Sequence, residues 1–313
     1  MIELQAVGKV YGNTQAVDAV SLTIARGEFV VLIGPSGSGK STLLKMINRL
    51  VEHDRGQILF KGDEIRSFRP EDIRRRMGYA IQSTGLFPHW SVARNIATVP
   101  ELLGWPATRI AARVDELLAL LGLEPQAYRD RYPHQLSGGQ QQRVGVARAL
   151  AADPEALLMD EPFGALDPIT RLTLQGELAR IHCASGKTVV LVTHDIDEAL
   201  RLATRIVLLD RGRIVQAGTP AQLLSQPAND FVSDFIGRSD RGLKLLGLQT
   251  VAEGMRAGEL DAVIAGEAIA ATLSLRDAMS IFVERHVDRL PVADAQGRGV
   301  GSLHFADLLA RRP

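Results

Sequence analysis

The sequence predicts an α/β protein built on a parallel sheet, followed by a small α+β domain. Two short, continuous apolar runs, Phe29–Ile33 and Thr188–Val192, have the length and composition of strands buried on both faces. Each run leads into residues that bind ligands when they lie at the carboxyl end of a parallel strand. After residues 226–242 a different pattern begins. The 313 residues are enough for one large domain and a small one, or for two medium ones, and the change of pattern favours the first.

Composition and charge indicate a globular protein on the cytoplasmic side of a cell. The chain is 46% apolar and 23% charged, and 36 basic residues balance 36 acidic ones. Proteins that bind nucleic acid usually carry a basic excess. No apolar run has the length of a membrane span, and the first residues lack the apolar core of a signal peptide. The single Cys183 excludes an internal disulfide and is expected to be a small core residue.

The first apolar run ends in a glycine-rich loop. Residues 34–41, GPSGSGKS, fit the pattern G-x-x-x-x-G-K-[ST], whose backbone N–H groups and following helix bind phosphates. Lys40 is expected to reach the β- and γ-phosphates, and the Ser41 hydroxyl to bind Mg²⁺. The next helix is expected to bury four leucine and isoleucine side chains, Leu43, Leu44, Ile47 and Leu50. The predicted nucleotide-binding residues here are Gly34, Pro35, Ser36, Gly37, Ser38, Gly39, Lys40, Ser41 and Thr42.

Acidic, histidine and glutamine residues follow the other apolar runs. In ALLMDEP, residues 156–162, Asp160 is expected to bind Mg²⁺ and Glu161 to polarise the attacking water as a general base. His194 is expected to hydrogen-bond the γ-phosphate, and Gln82 to contact Mg²⁺ or the attacking water. The predicted catalytic residues are Glu161, His194 and Gln82, and the predicted metal ligands are Ser41, Gln82 and Asp160.

A second phosphate-binding motif lies well downstream of the first. Residues 135–150, QLSGGQQQRVGVARAL, place Ser137, Gly138 and Gly139 before an apolar helix. Such a helix start offers a hydroxyl, N–H groups and a positive dipole end to an anion.

In this order and spacing the glycine-rich loop, LSGGQ, LLMDEP, ALD at residues 165–167 and His194 resemble the ATP-binding subunit of an ABC transporter, over residues 1–235. The resemblance implies a P-loop NTPase fold with a mixed sheet core, an antiparallel β subdomain and a helical subdomain over about residues 83–133. It implies ATP and Mg²⁺, with Tyr11 stacked on the adenine. It also implies a head-to-tail homodimer, in which Ser137, Gly138, Gly139 and Gln140 of one chain face the γ-phosphate bound by the other.

Residues 81–100, IQSTGLFPHWSVARNIATVP, resemble the importers of glycine betaine, choline and related osmoprotectants. This resemblance implies an ATPase at the cytoplasmic face of the inner membrane. Its partners would be transmembrane permease subunits and, through them, a substrate-binding protein, with no nucleic acid. The apolar residues 85–90 are expected to contact a permease. The alternative is a soluble ABC-type ATPase acting on nucleic acid or ribosomes, although such proteins usually carry two ATPase domains, coiled coils or basic linkers.

The C-terminal residues 245–313 resemble a single CBS motif, after a linker at residues 236–244. An apolar helix stripe is predicted at Leu275, Ala278, Met279, Phe282 and Val283, and a β-hairpin is predicted to turn at Gln296-Gly297. CBS motifs work in pairs, so either two tails pair across a dimer or the tail packs on its own ATPase domain. Nucleotide-binding pairs hold the ribose with a Ser or Thr three residues before an aspartate. His304 precedes Asp307 here, which weighs against a nucleotide in the tail.

Overall fold

The computed structural model of the chain describes residues 1–81, 85–164, 166–258 and 268–309. These residues divide into two compact units, Met1–Ala217 and Gly218–Pro313. None of the described helices is both long and apolar enough to cross a membrane.

The described part of the first unit contains two sheets. In the antiparallel sheet the strand order is β2-β1-β4-β5. In the larger sheet the order is β10-β9-β3-β8-β7-β6, and the neighbours from β9 to β6 are parallel. The strands are β1 Ile2–Tyr11, β2 Thr14–Ile24, β3 Phe29–Ile33, β4 Arg55–Phe60, β5 Asp63–Glu64, β6 Met77–Ala80, β7 Ala156–Asp160, β8 Thr188–Val192, β9 Arg205–Asp210 and β10 Arg213–Gly218.

The three central strands β3, β7 and β8 are buried along their whole length. This confirms the strands predicted from the apolar runs, because a parallel strand covered on both faces needs no alternation of polar and apolar residues. Their carboxyl ends lie side by side, which brings the polar residues that follow them to one edge of the sheet.

The helices of this unit begin at well-defined caps. The side chains of Ser91, Asp167 and Asp195 accept hydrogen bonds from backbone N–H groups of the first turn. Within the described residues of the predicted helical subdomain, the chain forms three α-helices. The helices are α1 Lys40–Ile47, α2 Pro70–Arg76, α3 Val92–Leu102, α4 Ala107–Leu120, α5 Pro125–Tyr128, α6 Gly138–Leu150, α7 Pro168–Ser185 and α8 Ile196–Leu202, with 3₁₀ turns at Ile65–Ser67 and Pro133–Gln135.

One apolar core joins the two sheets through α1. Leu43, Leu44, Met46 and Ile47 of α1 are fully buried in it. The prediction that Leu50 is buried is wrong: α1 ends at Ile47, and Leu50 is 46% exposed. The core therefore anchors the helix that follows the glycine-rich loop.

The expectation that Cys183 is a core residue is also wrong, because its side chain is exposed. The buried face of α7 carries Leu174, Leu178 and Ile181. Cys183 lies two residues beyond Ile181, about 200° further around the helix, and so faces away from that core.

The second unit has its own small sheet and core. The described strands follow the order β11-β14-β13-β12, and the antiparallel pair β13–β14 confirms the predicted hairpin. The elements are α9 Pro220–Ser225, α10 Asp230–Ile236, α11 Arg241–Gly247, α12 Val251–Gly254, β11 Arg256–Ala257, β12 Ile269–Ala270, α13 Leu275–Arg285, β13 Arg289–Ala293, β14 Gly299–His304 and α14 Phe305–Leu309.

The apolar stripe on α13 is confirmed at Leu275, Ala278 and Phe282, which are buried, and Met279 packs against the same core. Val283 is 60% exposed, so its inclusion is wrong. At 100° per residue it lies farther around the helix than the other four residues.

Within residues 236–244, predicted as a linker, α11 begins at Arg241. The buried Lys244 Nζ donates to the carbonyl of Ile236 at 2.7 Å, and this contact ties α11 to α10.

Candidate active site

The glycine-rich loop runs from Gly34 to Gly39, between β3 and α1. Gly34 has φ +145°, and a Cβ there would lie 2.0 Å from the carbonyl oxygen of Leu209. Gly39 has φ +98°, and a Cβ there would lie 2.3 Å from the carbonyl oxygen of Ala16. Only glycine fits either position, because both the backbone angle and the space exclude a side chain. The loop therefore holds a tight curve that leaves its N–H groups to wrap an anion.

Lys40 begins α1 and is buried at the loop. Its ammonium donates to the carbonyls of Gly34 and Pro35, each at 2.8 Å, and lies 3.4 Å from Ser38 Oγ. Burial lowers the pKa of the Lys40 ammonium, while the nearby carboxylates of Glu161 and Asp160 oppose this shift. The cation is thus held on the loop and within the electrostatic field of the two acids.

Ser41, the next residue, contacts the end of β7. Its hydroxyl donates to Asp160 Oδ1 at 2.7 Å, and Asp160 is buried. A hydroxyl and a carboxylate are the hard oxygen donors that Mg²⁺ takes, so this pair fits the metal. The third predicted ligand, Gln82, lies outside the described residues. Thr42 follows in α1 and is half-buried.

Glu161 follows Asp160 with an unusual backbone. Its φ is +46°, in the left-handed region that non-glycine residues rarely adopt. Its N–H donates to the carbonyl of Val192 at 2.9 Å, which joins the ends of β7 and β8. Such strain costs about 1–3 kcal/mol and is found at functional sites. The sequence alone could not show this backbone conformation.

His194 lies directly after β8 and beside Glu161. Its Nδ1 is 3.4 Å from Glu161 Oε1, and 65% of its side chain is exposed. The structure thus gathers Ser41, Asp160, Glu161 and His194 at the carboxyl edge of three adjacent strands. An exposed imidazole there is available to a ligand, and the carboxylate beside it can accept a proton from water.

The second phosphate-binding motif forms the start of α6. Ser137 caps the helix: its Oγ accepts from the N–H of Gln140 at 3.3 Å, and the Gln140 side chain accepts from the N–H of Ser137 at 3.0 Å. A Cβ at Gly138 would meet no atom within 4 Å, whereas one at Gly139 would lie 2.8 Å from Thr170 Cγ2. The structure therefore leaves Gly138 open on one side of the helix start and packs Gly139 against the beginning of α7.

Tyr11 ends β1 and is 48% exposed. The Lys9 ammonium lies 5.4 Å from the centre of its ring and 2.8 Å from Asp54 Oδ1. Asp54 Oδ2 also accepts from the N–H of Val10 at 2.8 Å. Asp54 thus holds both the cation and the strand end beside the aromatic ring.

Sequence reasoning missed a polar cluster behind His194, formed by Arg171, Thr193, Asp195 and Glu198. Asp195 could have been predicted as the first residue of a helix, because an aspartate followed by acidic residues is a typical helix start. No sequence pattern predicts the contact of Arg171 with Glu198, since only the fold brings α7 and α8 together.

These features define a P-loop ATPase. A family model described as ABC transporter matches residues 17–164, and one described as CBS domain matches residues 267–313. The chain is 62% identical over 309 residues to the glycine betaine uptake system ATP-binding protein YehX of Escherichia coli (strain K12), covering 99% of each protein. It is 48% identical over 297 residues to the glycine betaine/carnitine/choline transport ATP-binding protein OpuCA of Bacillus subtilis (strain 168), covering 95% of this chain and 76% of that protein.

A solved structure has the same fold: the dimeric, post-hydrolysis ATP-binding cassette MJ0796 bound to ADP and Pi. It is 34% identical with a TM-score of 0.65, over 70% of this chain and 99% of that one. The chain belongs to the ABC transporter ATP-binding protein family, with a CBS domain at its C-terminus. The predicted fold class is therefore confirmed.

Proposed function

We propose that this chain is the ATP-hydrolysing subunit of a bacterial importer for a quaternary amine such as glycine betaine or choline. The observation that carries the ATPase reaction is the gathering of Ser41, Asp160, Glu161 and His194 at one sheet edge beside the glycine-rich loop. The solute class rests on the relatives, because the Escherichia coli glycine betaine protein is similar over the tail as well as the ATPase domain. The solute itself would be bound by other subunits.

In the proposed reaction a water molecule attacks the γ-phosphorus of ATP and the bond to the β-phosphate oxygen breaks. Glu161 accepts the proton of the attacking water, and His194 hydrogen-bonds the γ-phosphate. Lys40 binds the β- and γ-phosphates, exchanging the carbonyls of Gly34 and Pro35 for phosphate oxygens. The products are ADP and inorganic phosphate.

Ser41 and Asp160 fit a Mg²⁺ bound with the nucleotide, and Gln82 is proposed as a further ligand. The ion would neutralise charge on the phosphate oxygens during the transfer. Tyr11 is proposed to stack on the adenine, with Lys9 and Asp54 holding the strand end behind it.

Two chains are proposed to pack head-to-tail, so that the start of α6 in one chain faces the γ-phosphate bound by the other. Ser137, Gly139 and Gln140 shape this surface, and Gly138 leaves it open to the approach of a phosphate. The dimeric state of the solved relative MJ0796 supports the arrangement.

A cleft beside residues 85–90 is proposed to take a segment of a transmembrane permease. The cleft has a volume of ≈ 370 Å³, and Tyr79, Phe87 and Val99 are among its lining residues. The buried Asn95 bonds the N–H and carbonyl of Phe87, and Arg148 Nη1 donates to the carbonyl of Gly85 at 2.7 Å. A rigid, partly apolar socket of this kind suits a short helix of a partner. The subunit would then lie at the cytoplasmic face of the inner membrane.

The alternative, an ATPase acting on nucleic acid or ribosomes, has less support. The Escherichia coli relative is named as an uptake protein and the Bacillus subtilis relative as a transport protein, and the chain has no basic excess. The discriminating experiment is co-purification from membranes. Recovery with a multi-span subunit and a substrate-binding protein supports the importer, and recovery with ribosomes or nucleic acid contradicts it.

Glu161→Gln tests the chemistry. Hydrolysis should fall by about two to four orders of magnitude while ATP still binds, because only the proton acceptor is lost. Size exclusion with Mg-ATP should then show a persistent dimer. Glu177→Gln, at a half-buried glutamate of α7 that pairs with Arg180, is the matched control and should hydrolyse ATP normally. A Glu161→Gln variant that hydrolyses at the normal rate would overturn the assignment.

A further inference from the structure

His194 is held between two residues that are themselves fixed by a side-chain cluster. Thr193 precedes it, and its Oγ1 donates to Glu198 Oε2 at 2.6 Å. Asp195 follows it, and its N–H donates back to Thr193 Oγ1 at 3.0 Å. Asp195 Oδ1 also accepts from the N–H groups of Asp197 and Glu198 at the start of α8. The backbone on both sides of His194 is therefore tied to Glu198.

Arg171 connects the segment that carries His194 to Leu166, on the segment that follows Glu161. Its Nη1 lies 3.5 Å from Asp195 Oδ2 and its Nε lies 3.8 Å from Glu198 Oε1. Its Nη2 donates to the carbonyl of Leu166 at 3.2 Å. One guanidinium thus contacts the segment that carries His194 and the segment that leads away from Glu161. The planar fork of arginine can hold such separate acceptors in one geometry, which a lysine cannot.

Glu198 is buried, with 5% of its surface exposed, although it carries a carboxyl group. Burial raises its pKa, and the Thr193 hydroxyl and Arg171 oppose the shift. A carboxyl group is expensive to bury unless it is hydrogen-bonded and paired. The cavity between these groups has a volume of only ≈ 40 Å³, and its lining includes Glu161, His194 and Glu198. Little free volume is left for the cluster to rearrange.

From this geometry we infer that Arg171 and Glu198 are positioning residues for the ATPase reaction. They hold the imidazole of His194 beside the Glu161 carboxylate. They do so by fixing two segments, the one that carries His194 and the one that follows Glu161. Among the described residues, the side-chain hydrogen bonds and ion pairs of Arg171 and Glu198 go to Leu166, Thr193, Asp195 and each other, and not to the glycine-rich loop. Their effect is therefore expected on the chemical step and not on nucleotide affinity. The inference rests on the proposed function, because it assigns a purpose to His194 and Glu161 in hydrolysis.

The first test is the split between kcat and KM in purified, full-length protein. Arg171→Ala should lower kcat for ATP about ten- to a hundredfold, since misplacing a reacting group by an ångström has effects of this size, and should change KM less than about twofold. Arg171→Lys should recover part of the rate. Glu198→Gln should lose less than Glu198→Ala, because its amide oxygen still accepts from Thr193. Arg180→Ala, which removes an exposed ion pair from the same helix, is the matched control.

The second test asks whether Arg171 acts through His194. In a His194→Ala background, Arg171→Ala should lower the single-turnover rate by less than about twofold, because the group that it positions is gone. A further tenfold loss in that background would overturn the inference, and so would a rise in KM that matches the loss in kcat. If the unmodified protein hydrolyses no ATP, the proposed function fails. If it hydrolyses ATP and Arg171→Ala is equally fast, only the positioning role fails.

Discussion

Gly138 tests the proposed shared site, in which the start of α6 in one chain faces the nucleotide bound by the other. It suits this test because its surroundings within one chain are open. A Cβ at this position would meet no atom within 4 Å, and its φ is not in the left-handed region. Gly138→Ala should therefore leave the single chain folded, and should stabilise it by about 0.4–1 kcal/mol through the lower entropy of the unfolded chain. ATP binding by one chain should be unchanged, since the glycine-rich loop is not altered.

The proposed dimer gives a different expectation for hydrolysis. The added methyl group would lie where the γ-phosphate of the partner's nucleotide approaches the start of α6. Weakening one hydrogen bond to a charged group costs about 1.5–3 kcal/mol, or roughly ten- to a hundredfold in rate or dimer affinity. The measurements are steady-state hydrolysis of Mg-ATP, and the dimer fraction in the Glu161→Gln background by size exclusion.

Two other glycines provide controls for this substitution. Gly176 in α7 has the same open surroundings, so Gly176→Ala should be slightly stabilising and fully active. Gly139→Ala places a Cβ 2.8 Å from Thr170 Cγ2 and should lower the melting temperature of the single chain. If Gly138→Ala hydrolyses ATP like Gly176→Ala, the start of α6 does not approach a nucleotide and the shared site is refuted.

Three further predictions concern the loop, the dimer and the tail. Lys40→Ala should weaken ATP binding about ten- to a hundredfold in a fluorescent-analogue titration, because a charge-assisted contact is lost; unchanged affinity would restrict Lys40 to the transition state. Ser137→Arg alone should abolish hydrolysis. When it is mixed with Lys40→Ala, some activity should return, because in a head-to-tail dimer of the two variants one nucleotide site carries both substitutions and the other carries neither. If no activity returns, the result weighs against nucleotide sites shared between two chains. Deleting residues 240–313 removes Lys244 from the carbonyl of Ile236 but leaves the first unit and its ATPase activity intact. If the tail senses ionic strength, reconstituted transport should lose its salt dependence in this variant. Charged contacts of the tail would provide that dependence, because the Debye screening length falls from about 10 Å at 0.1 M salt to about 3 Å at 1 M. Identical salt curves with and without the tail would refute such a role.

Much of the fold could be predicted because its signals are local. The strands β3 and β8 have the bounds of the predicted runs, since a short and almost wholly apolar run before a polar loop suits few structures other than a buried strand. The hairpin β13–β14 follows from its turn residues in the same way. The errors at Leu50 and Val283 share a cause: periodicity shows that a helix has an apolar face, but not where the helix stops or how wide its contact is. The error at Cys183 has another cause, because residue type alone does not show which face of a helix a cysteine occupies.

The nature of the site was likewise contained in its motifs, because glycines, a lysine and paired acids at fixed spacing serve few purposes other than binding and hydrolysing a nucleotide. The sequence alone thus determined the class of protein and the residues at which to look. Only the tertiary structure decided that Ser41 donates to Asp160, that Glu161 adopts a strained backbone, and that Arg171 lies beside Asp195, the residue after His194. These contacts join residues far apart in the chain, and their geometry depends on strand order and helix packing, which no local pattern encodes.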